Sequence, residues 1–257
     1  MSLWIEAACC CRRGKIRQNN EDNLCFAGQF LAKEHSDQDA ALTYQGSVRA
    51  GLCFAVFDGM GGENFGEEAS WAAARAMQKE PLHFMDRLNP EKYLQRLSTV
   101  CNLAVVKKAK QLKTDRMGTT MAALYLTQYS YWVCNLGDSR IYCLHDGKLI
   151  QLSVDHADPA MAGKGRKAPL TQHLGIDPQL MLLEPSIRKE RLYKEDQILL
   201  CSDGLTDMVA EDRICDIMRN EKNIKNCVCA LADQAMANGG RDNITAVSCR
   251  LYSKDGG

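Results

Sequence analysis

Between residues 119 and 152 the chain alternates strand-like runs with turns too short to hold a helix. Thr119–Thr127 and Tyr131–Gly137 are separated by a short polar turn. Arg140–His145 and Lys148–Leu152 flank Asp146-Gly147. An Asp-Gly pair between apolar runs is a strong signal for a two-residue hairpin. Strands joined in this way run antiparallel, because a parallel neighbour needs a crossover of a dozen or more residues. This stretch therefore disfavours an alternating βαβ chain and a doubly wound nucleotide fold. No G-x-G-x-x-G follows a strand, and Gly163-Lys164-Gly165 lacks the phosphate-loop spacing.

Helical patterns bracket the strands. Ala69, Ala72, Ala73, Ala76 and Met77 recur at helical spacing, with Glu67 and Glu68 in a first turn whose dipole favours acids. That stripe is read as core packing. A second helix is expected from Pro90 to about Lys113, with Leu94, Leu97, Cys101 and Ala104 on one face. Leu52–Phe57 is an unbroken apolar run, which suits a strand buried on both faces. Residues 153–179 are polar, hold three prolines and read as a loop. Beyond them we expect strands at Met181–Arg188 and Gln197–Ser202, helices at Glu211–Asn220 and Lys225–Asn238, and a last strand at Ile244–Tyr252. Consecutive strands with segregated helix pairs define an α+β class.

Composition narrows the function. The 257 residues are 46% apolar and 25% charged, an ordinary globular mixture with enough chain for a full core. Lys+Arg and Asp+Glu both number 32, so no general attraction for nucleic acid or an anionic membrane is expected. No run reaches the ~18 apolar residues of a membrane helix, and the first residues do not read as a signal peptide. The expected location is cytoplasmic. There are 13 cysteines, an odd number without any C-x-x-C pair, so neither a disulfide scaffold nor a zinc site is expected. They read as reduced core thiols. Cys9, Cys10 and Cys11, outside any long apolar run, are expected to be the most accessible.

Four aspartates share one context. Asp58 ends Phe54-Ala55-Val56-Phe57 and precedes Gly59-Met60-Gly61-Gly62. Asp138 follows Val133–Gly137, Asp203 ends Ile198–Ser202 and precedes Gly204, and Asp242 follows Gly239-Gly240-Arg241. One Asp-Gly after a strand is usually only a turn. Four carboxylates at converging strand ends lose hydration and repel one another unless a cation neutralises them. An all-oxygen donor set favours Mg2+ or Mn2+ over Zn2+, and a pair of such ions suits displacement at phosphorus. The segment Gly14–Asn23 adds Arg17, whose planar fork suits phosphate, and the acids Glu21 and Asp22.

With these residues the chain resembles the metal-dependent serine/threonine protein phosphatases, the protein phosphatase 2C family, in its bacterial branch. The resemblance runs from about residue 5 to 252. It rests on six motifs in the family's order: Arg17-x-x-Asn20-Glu21-Asp22, Phe57–Gly62, Met117–Thr120, Asn135–Arg140, Ser202–Asp207 and Gly240–Thr245. It implies a four-layer α/β/β/α sandwich, two antiparallel sheets packed face to face with a helix pair on each outer side. It implies one phosphatase domain over residues 1–257, with a short flap at about 157–169. In that family pattern Asp58 would bridge two Mn2+ or Mg2+ ions, the Gly59 carbonyl would complete the second site, and Asp203 and Asp242 would hold the first. Glu21 and Asp22 would act through water, Arg17 would grip phosphate, and Asp138 matches a position that helps bind a weaker third ion.

The implied activity is hydrolysis of phosphoserine and phosphothreonine by direct attack of a metal-bridging hydroxide. Arg17 and Asp58 are then the residues closest to the chemistry, and the Cys-x5-Arg loop of cysteine phosphatases is expected to be absent. The implied partners are phosphorylated proteins, substrates of a bacterial serine/threonine kinase, met by a monomer without nucleic acid or a membrane segment. The alternative reading is a catalytically silent phosphatase-like sensor or binding module, disfavoured because Asp58, Asp203 and Asp242 are all present. A metal-dependent nuclease is disfavoured by the balanced charge. Met60 stands where many eukaryotic relatives carry a histidine and cannot donate a proton. Lys164, Arg166 and Lys167 read as a solvated basic loop, and His156 as a turn residue.

Overall fold

The structure is a computed structural model that describes residues 3–37, 41–48, 51–60, 65–81, 89–128, 130–163 and 167–253. Gly61, Gly62, Lys164 and Arg166 lie outside the described residues.

The chain begins with strands β1 (Leu3–Arg12), β2 (Asn23–Phe26), β3 (Gln29–Phe30), β4 (Leu42–Ser47), β5 (Leu52–Phe57) and β6 (Gly59–Met60). Helices α1 (Gly66–Lys79) and α2 (Pro90–Leu112) follow. Then come β7 (Gly118–Thr119), β8 (Met121–Leu126), β9 (Ser130–Leu136), β10 (Arg140–His145), β11 (Lys148–Gln151), β12 (Ser186–Arg191) and β13 (Gln197–Cys201). The chain closes with α3 (Asp203–Thr206), α4 (Glu211–Asn220), α5 (Ile224–Ala237) and β14 (Ile244–Ser253).

Among the described residues these strands form two six-stranded sheets, ordered β11-β10-β13-β14-β1-β4 and β12-β9-β8-β5-β2-β3, with β6 and β7 as a separate ribbon. Neighbours within each six-stranded sheet run antiparallel. The side-chain period of two explains the layering. Ile5, Ala7, Cys9 and Cys11 of β1 face Phe54 and Val56 of β5 and Ala122, Leu124 and Leu126 of β8 in the core between the sheets. The alternate residues Ala55, Phe57, Ala123 and Tyr125 pack outward against Ala69, Ala73 and Met77 of α1 and Leu94, Leu97 and Cys101 of α2. On the other side Ala8, Cys10, Leu199 and Cys201 pack against Ile214 and Met218 of α4 and Val228 and Leu231 of α5. Each large side chain buried in this way contributes about 1.5–3 kcal/mol. The result is the expected α/β/β/α sandwich.

Local chemistry accounts for the element ends. The Asn89 side chain accepts the Lys92 N–H and Pro90 opens α2, a cap-and-proline start. Asp146 and Gly147 have φ of 47° and 74°, the left-handed pair that a two-residue turn needs, and they set the β10–β11 register.

Two expectations are corrected. The strand placed at Met181–Arg188 forms only at Ser186–Arg191. Pro185 lacks the N–H a ladder requires, and Leu180 and Leu182 are exposed. The triplet Cys9–Cys11 is not accessible: all three residues are 0% exposed. It lies in β1, where all three residues pair with β14 and Cys9 pairs with β4 as well. Small side chains fit this double burial, and cysteine behaves there as a small apolar residue.

Candidate active site

Antiparallel pairing brings the acids together. The end of β5, the start of β8 and the end of β9 fall side by side, because Val56 is opposite Ala122 and Met121 is opposite Leu136. In the facing sheet the end of β13 meets the start of β14, with Cys201 opposite Ala246. Asp58, Asp138 and Asp203 follow the ends of β5, β9 and β13, and Asp242 precedes the start of β14. With Arg17, Glu21 and Gly59 they line one cleft of about 690 Å3.

Each is held by its own neighbours. The Asp58 N–H donates to Thr120 Oγ1 at 3.0 Å, and the Thr119 hydroxyl donates to the Asp58 carbonyl at 2.8 Å. Thr120 and Ser139 share a further hydrogen bond at 2.7 Å. The Gly59 N–H donates to the Glu21 carbonyl at 3.2 Å. A side chain at Gly59 would put its Cβ 2.2 Å from the Gly66 carbonyl oxygen, so only glycine permits this approach. Asp22 lies behind the cleft at 1% exposure. Its Oδ2 accepts from Ser202 Oγ at 2.8 Å and Thr245 Oγ1 at 2.7 Å, which ties the two sheets together.

Asn243 was not singled out as a site residue, although it follows Asp242 in a motif. Its Oδ1 accepts the Glu21 N–H at 2.7 Å, and its Nδ2 donates to the carbonyls of Arg13 and Asn19 at 2.8 and 2.9 Å. It fastens the loop carrying Arg17, Glu21 and Asp22 to the start of β14.

The electrostatics show a desolvated site crowded with acids. Burial pushes Asp58 well above the usual carboxylate range, and Asp203, Asp22, Asp138 and Asp242 add to the shift. Burial raises Glu21 to about 7 and Asp138 to about 6, the latter with help from Asp203. Asp22 Oδ1 and Asp203 Oδ1 are buried and have no hydrogen-bond partner. Oxygen donors that repel one another and leave lone pairs unsatisfied fit a hard divalent cation.

Among the described residues, however, no three acid, histidine or cysteine side chains form a ready-made metal cage. The carboxylates are turned to protein cations instead. Arg17 Nη2 donates to Asp242 Oδ2 at 2.6 Å. Lys167, expected in solvent, reaches inward and pairs with Asp203 and Asp207. His156 behaves as a turn residue: its Nδ1 accepts the Gly137 N–H at 3.2 Å, its own N–H donates to the Gly137 carbonyl, and burial lowers its pKa. Met60 lines the cleft and offers no proton.

One sequence exclusion needs correction. Cys11 and Arg17 stand six positions apart, the Cys-x5-Arg spacing of cysteine phosphatases. The structure removes that possibility. Cys11 lies fully buried between the sheets, burial holds its thiol far above the usual range, and it accepts from Asn20 and Thr245 at 3.2 Å each. A thiol in that state is not a nucleophile.

Comparison with known proteins agrees with this architecture. A family model described as protein phosphatase 2C matches residues 30–244. The serine/threonine phosphatase stp of Listeria innocua is 30% identical over 252 residues, covering 91% of each chain. The solved structure of PppA from Pseudomonas aeruginosa superposes with a TM-score of 0.76 at 25% identity, covering 96% of this chain and 98% of that one. The catalytic domain of the serine/threonine protein phosphatase PstP, solved in complex with two manganese ions, superposes with a TM-score of 0.74 at 26% identity, covering 98% and 100%.

The fold and its acidic cleft are thus those of a phosphatase. The chain belongs to the protein phosphatase 2C family.

Proposed function

We propose that this cleft hydrolyses phosphoserine and phosphothreonine esters of protein substrates, using two Mn2+ or Mg2+ ions, and that the whole chain serves as one catalytic domain. The observation that carries the reading is the pair of buried, unpartnered oxygens of Asp22 and Asp203 beside a cleft ringed by further acids. The two manganese ions of the PstP structure support the same metal class and number.

Asp58 would bridge the ions, the Gly59 carbonyl would complete one site, and Asp203 and Asp242 would serve the other. Glu21 would act from the cleft wall through water, and Asp22 through water from behind it. Bound divalent ions supply an activated water and neutralise charge on the phosphoryl oxygens. The protein's own residues orient the substrate. Arg17, half-exposed at the cleft mouth, would exchange Asp242 for a phosphate, presenting two N–H groups to its oxygens. Thr119 and Thr120 keep Asp58 in place while charge moves around it. No side chain becomes phosphorylated, and Met60, without a proton to give, takes no part as an acid.

The substrates are phosphoproteins made by a serine/threonine kinase, and the chain acts as a cytoplasmic monomer. Among the described residues no helix is long and apolar enough to cross a membrane. The test is turnover of p-nitrophenyl phosphate and of a phosphothreonine peptide in a Mn2+ titration with an EDTA control. Metal-dependent turnover of both is expected. Full activity in chelated protein would overturn the metal reading. Metal binding without turnover would instead favour the silent sensor.

A further inference from the structure

The flap lysine is part of the acidic site. Lys167 Nζ pairs with Asp203 and, at 2.5 Å, with Asp207. These two acids stand four residues apart at the ends of α3, the spacing that brings side chains to one side of a helical turn. Together with Asp138 they line a recess of about 180 Å3 beside the main cleft, and Lys167 forms part of its wall. The other cation in that wall, Arg140, is committed to Asp155 through three hydrogen bonds of 2.7 to 3.2 Å. Among the described residues Lys167 is thus the cation that answers Asp203 and Asp207. Its chain is anchored a few residues further on: Leu170 bridges Ala157, and the Thr171 N–H donates to the His156 carbonyl at 2.8 Å. The ammonium is delivered to the recess from a fixed base.

We propose that Lys167 is a tethered counter-cation, whose ammonium takes the place beside Asp138, Asp203 and Asp207 that a third divalent ion would otherwise occupy. This rests on the two-ion reading above and limits it to two. An ion entering the recess meets a charge of its own sign, already hydrogen-bonded to the carboxylates it needs. A short flap then does with a side chain what a loosely held ion would do by mass action. It neutralises the outer acids without depending on metal supply.

The experiment counts ions. The full chain, stripped with EDTA, is titrated with Mn2+ while free Mn2+ is read by its electron paramagnetic resonance signal. The parent and Lys167→Arg are expected to bind two ions and to show no third site below millimolar concentration. Lys167→Gln, which removes the charge from a half-exposed side chain, is expected to gain a third site at least tenfold tighter than any in the parent. Lys167→Gln with Asp207→Asn is expected to lose it again. Far-UV circular dichroism checks the fold of each variant. A third ion in the parent, or identical two-ion isotherms in the parent and Lys167→Gln, would overturn the proposal and leave the two-ion centre intact. A parent that binds no Mn2+ would overturn both.

Discussion

Replacing Asn243 with alanine tests whether the site loop is held from one point. The side chain is 3% exposed and makes three hydrogen bonds, to the Glu21 N–H and to the carbonyls of Arg13 and Asn19. Alanine strands all three backbone groups. A net loss near 1 kcal/mol per bond gives about 3 kcal/mol, with water entering the gap working against the larger penalty of a dry orphan. For a domain of this size each kcal/mol lowers Tm by roughly 2–4 °C, so a fall of about 6–12 °C is expected. Urea unfolding of metal-free protein should show a lower midpoint with an unchanged slope. Because two of the bonds bracket the segment carrying Arg17, kcat/KM for a phosphopeptide should also fall, by at least about tenfold or ~1.4 kcal/mol. A midpoint within about 0.5 kcal/mol of the parent, the ordinary range for an inert surface change, would refute the reasoning.

Asp58→Asn should abolish most Mn2+ binding, because one carboxylate serves both proposed ions; unchanged affinity in calorimetry would contradict the assignment. Arg17→Ala should raise KM for phosphopeptides while Mn2+ binding persists, since the guanidinium meets phosphate rather than metal; unaltered KM and kcat would take Arg17 out of the site. The pH dependence follows from Glu21, raised by burial to about 7, and Asp138, raised to about 6. Folded protein keeps protons that the unfolded chain releases, so stability of the metal-free form falls as pH rises from about 4 to 7. Metal uptake then expels those protons, and calorimetry at pH 6 in two buffers of different ionisation enthalpy should give different heats; equal heats would refute it. Thiol titration of native protein should label Cys215 and Cys229 first and reach Cys9, Cys10 and Cys11 only on unfolding, because those three are fully buried; rapid native labelling of the triplet would contradict its place in the sheet.

Some of this protein was legible in its sequence because the relevant physics is local. The bounds of β5 and β10, the helices at Pro90–Leu112 and Glu211–Asn220, and the Asp146-Gly147 hairpin follow from side-chain period and turn chemistry, which neighbouring residues determine. The four aspartates were visible for the same reason: Asp58, Asp138 and Asp203 stand where an apolar run stops, and Asp242 just before one begins. β1 was not visible. Its Ala-Ala-Cys-Cys-Cys core carries little β signal, and its place between β14 and β4 depends on partners from both ends of the chain. That non-local pairing decides that Cys11 is buried and inert despite its spacing from Arg17. The partners of the charges were also beyond sequence. Asp22 with Ser202 and Thr245, Asn243 with the Arg13–Glu21 loop, and Lys167 with Asp203 and Asp207 are contacts between distant segments. A residue's type tells which partners it can accept, but which one stands within hydrogen-bond reach is decided only when the two sheets stack and bring their ends together.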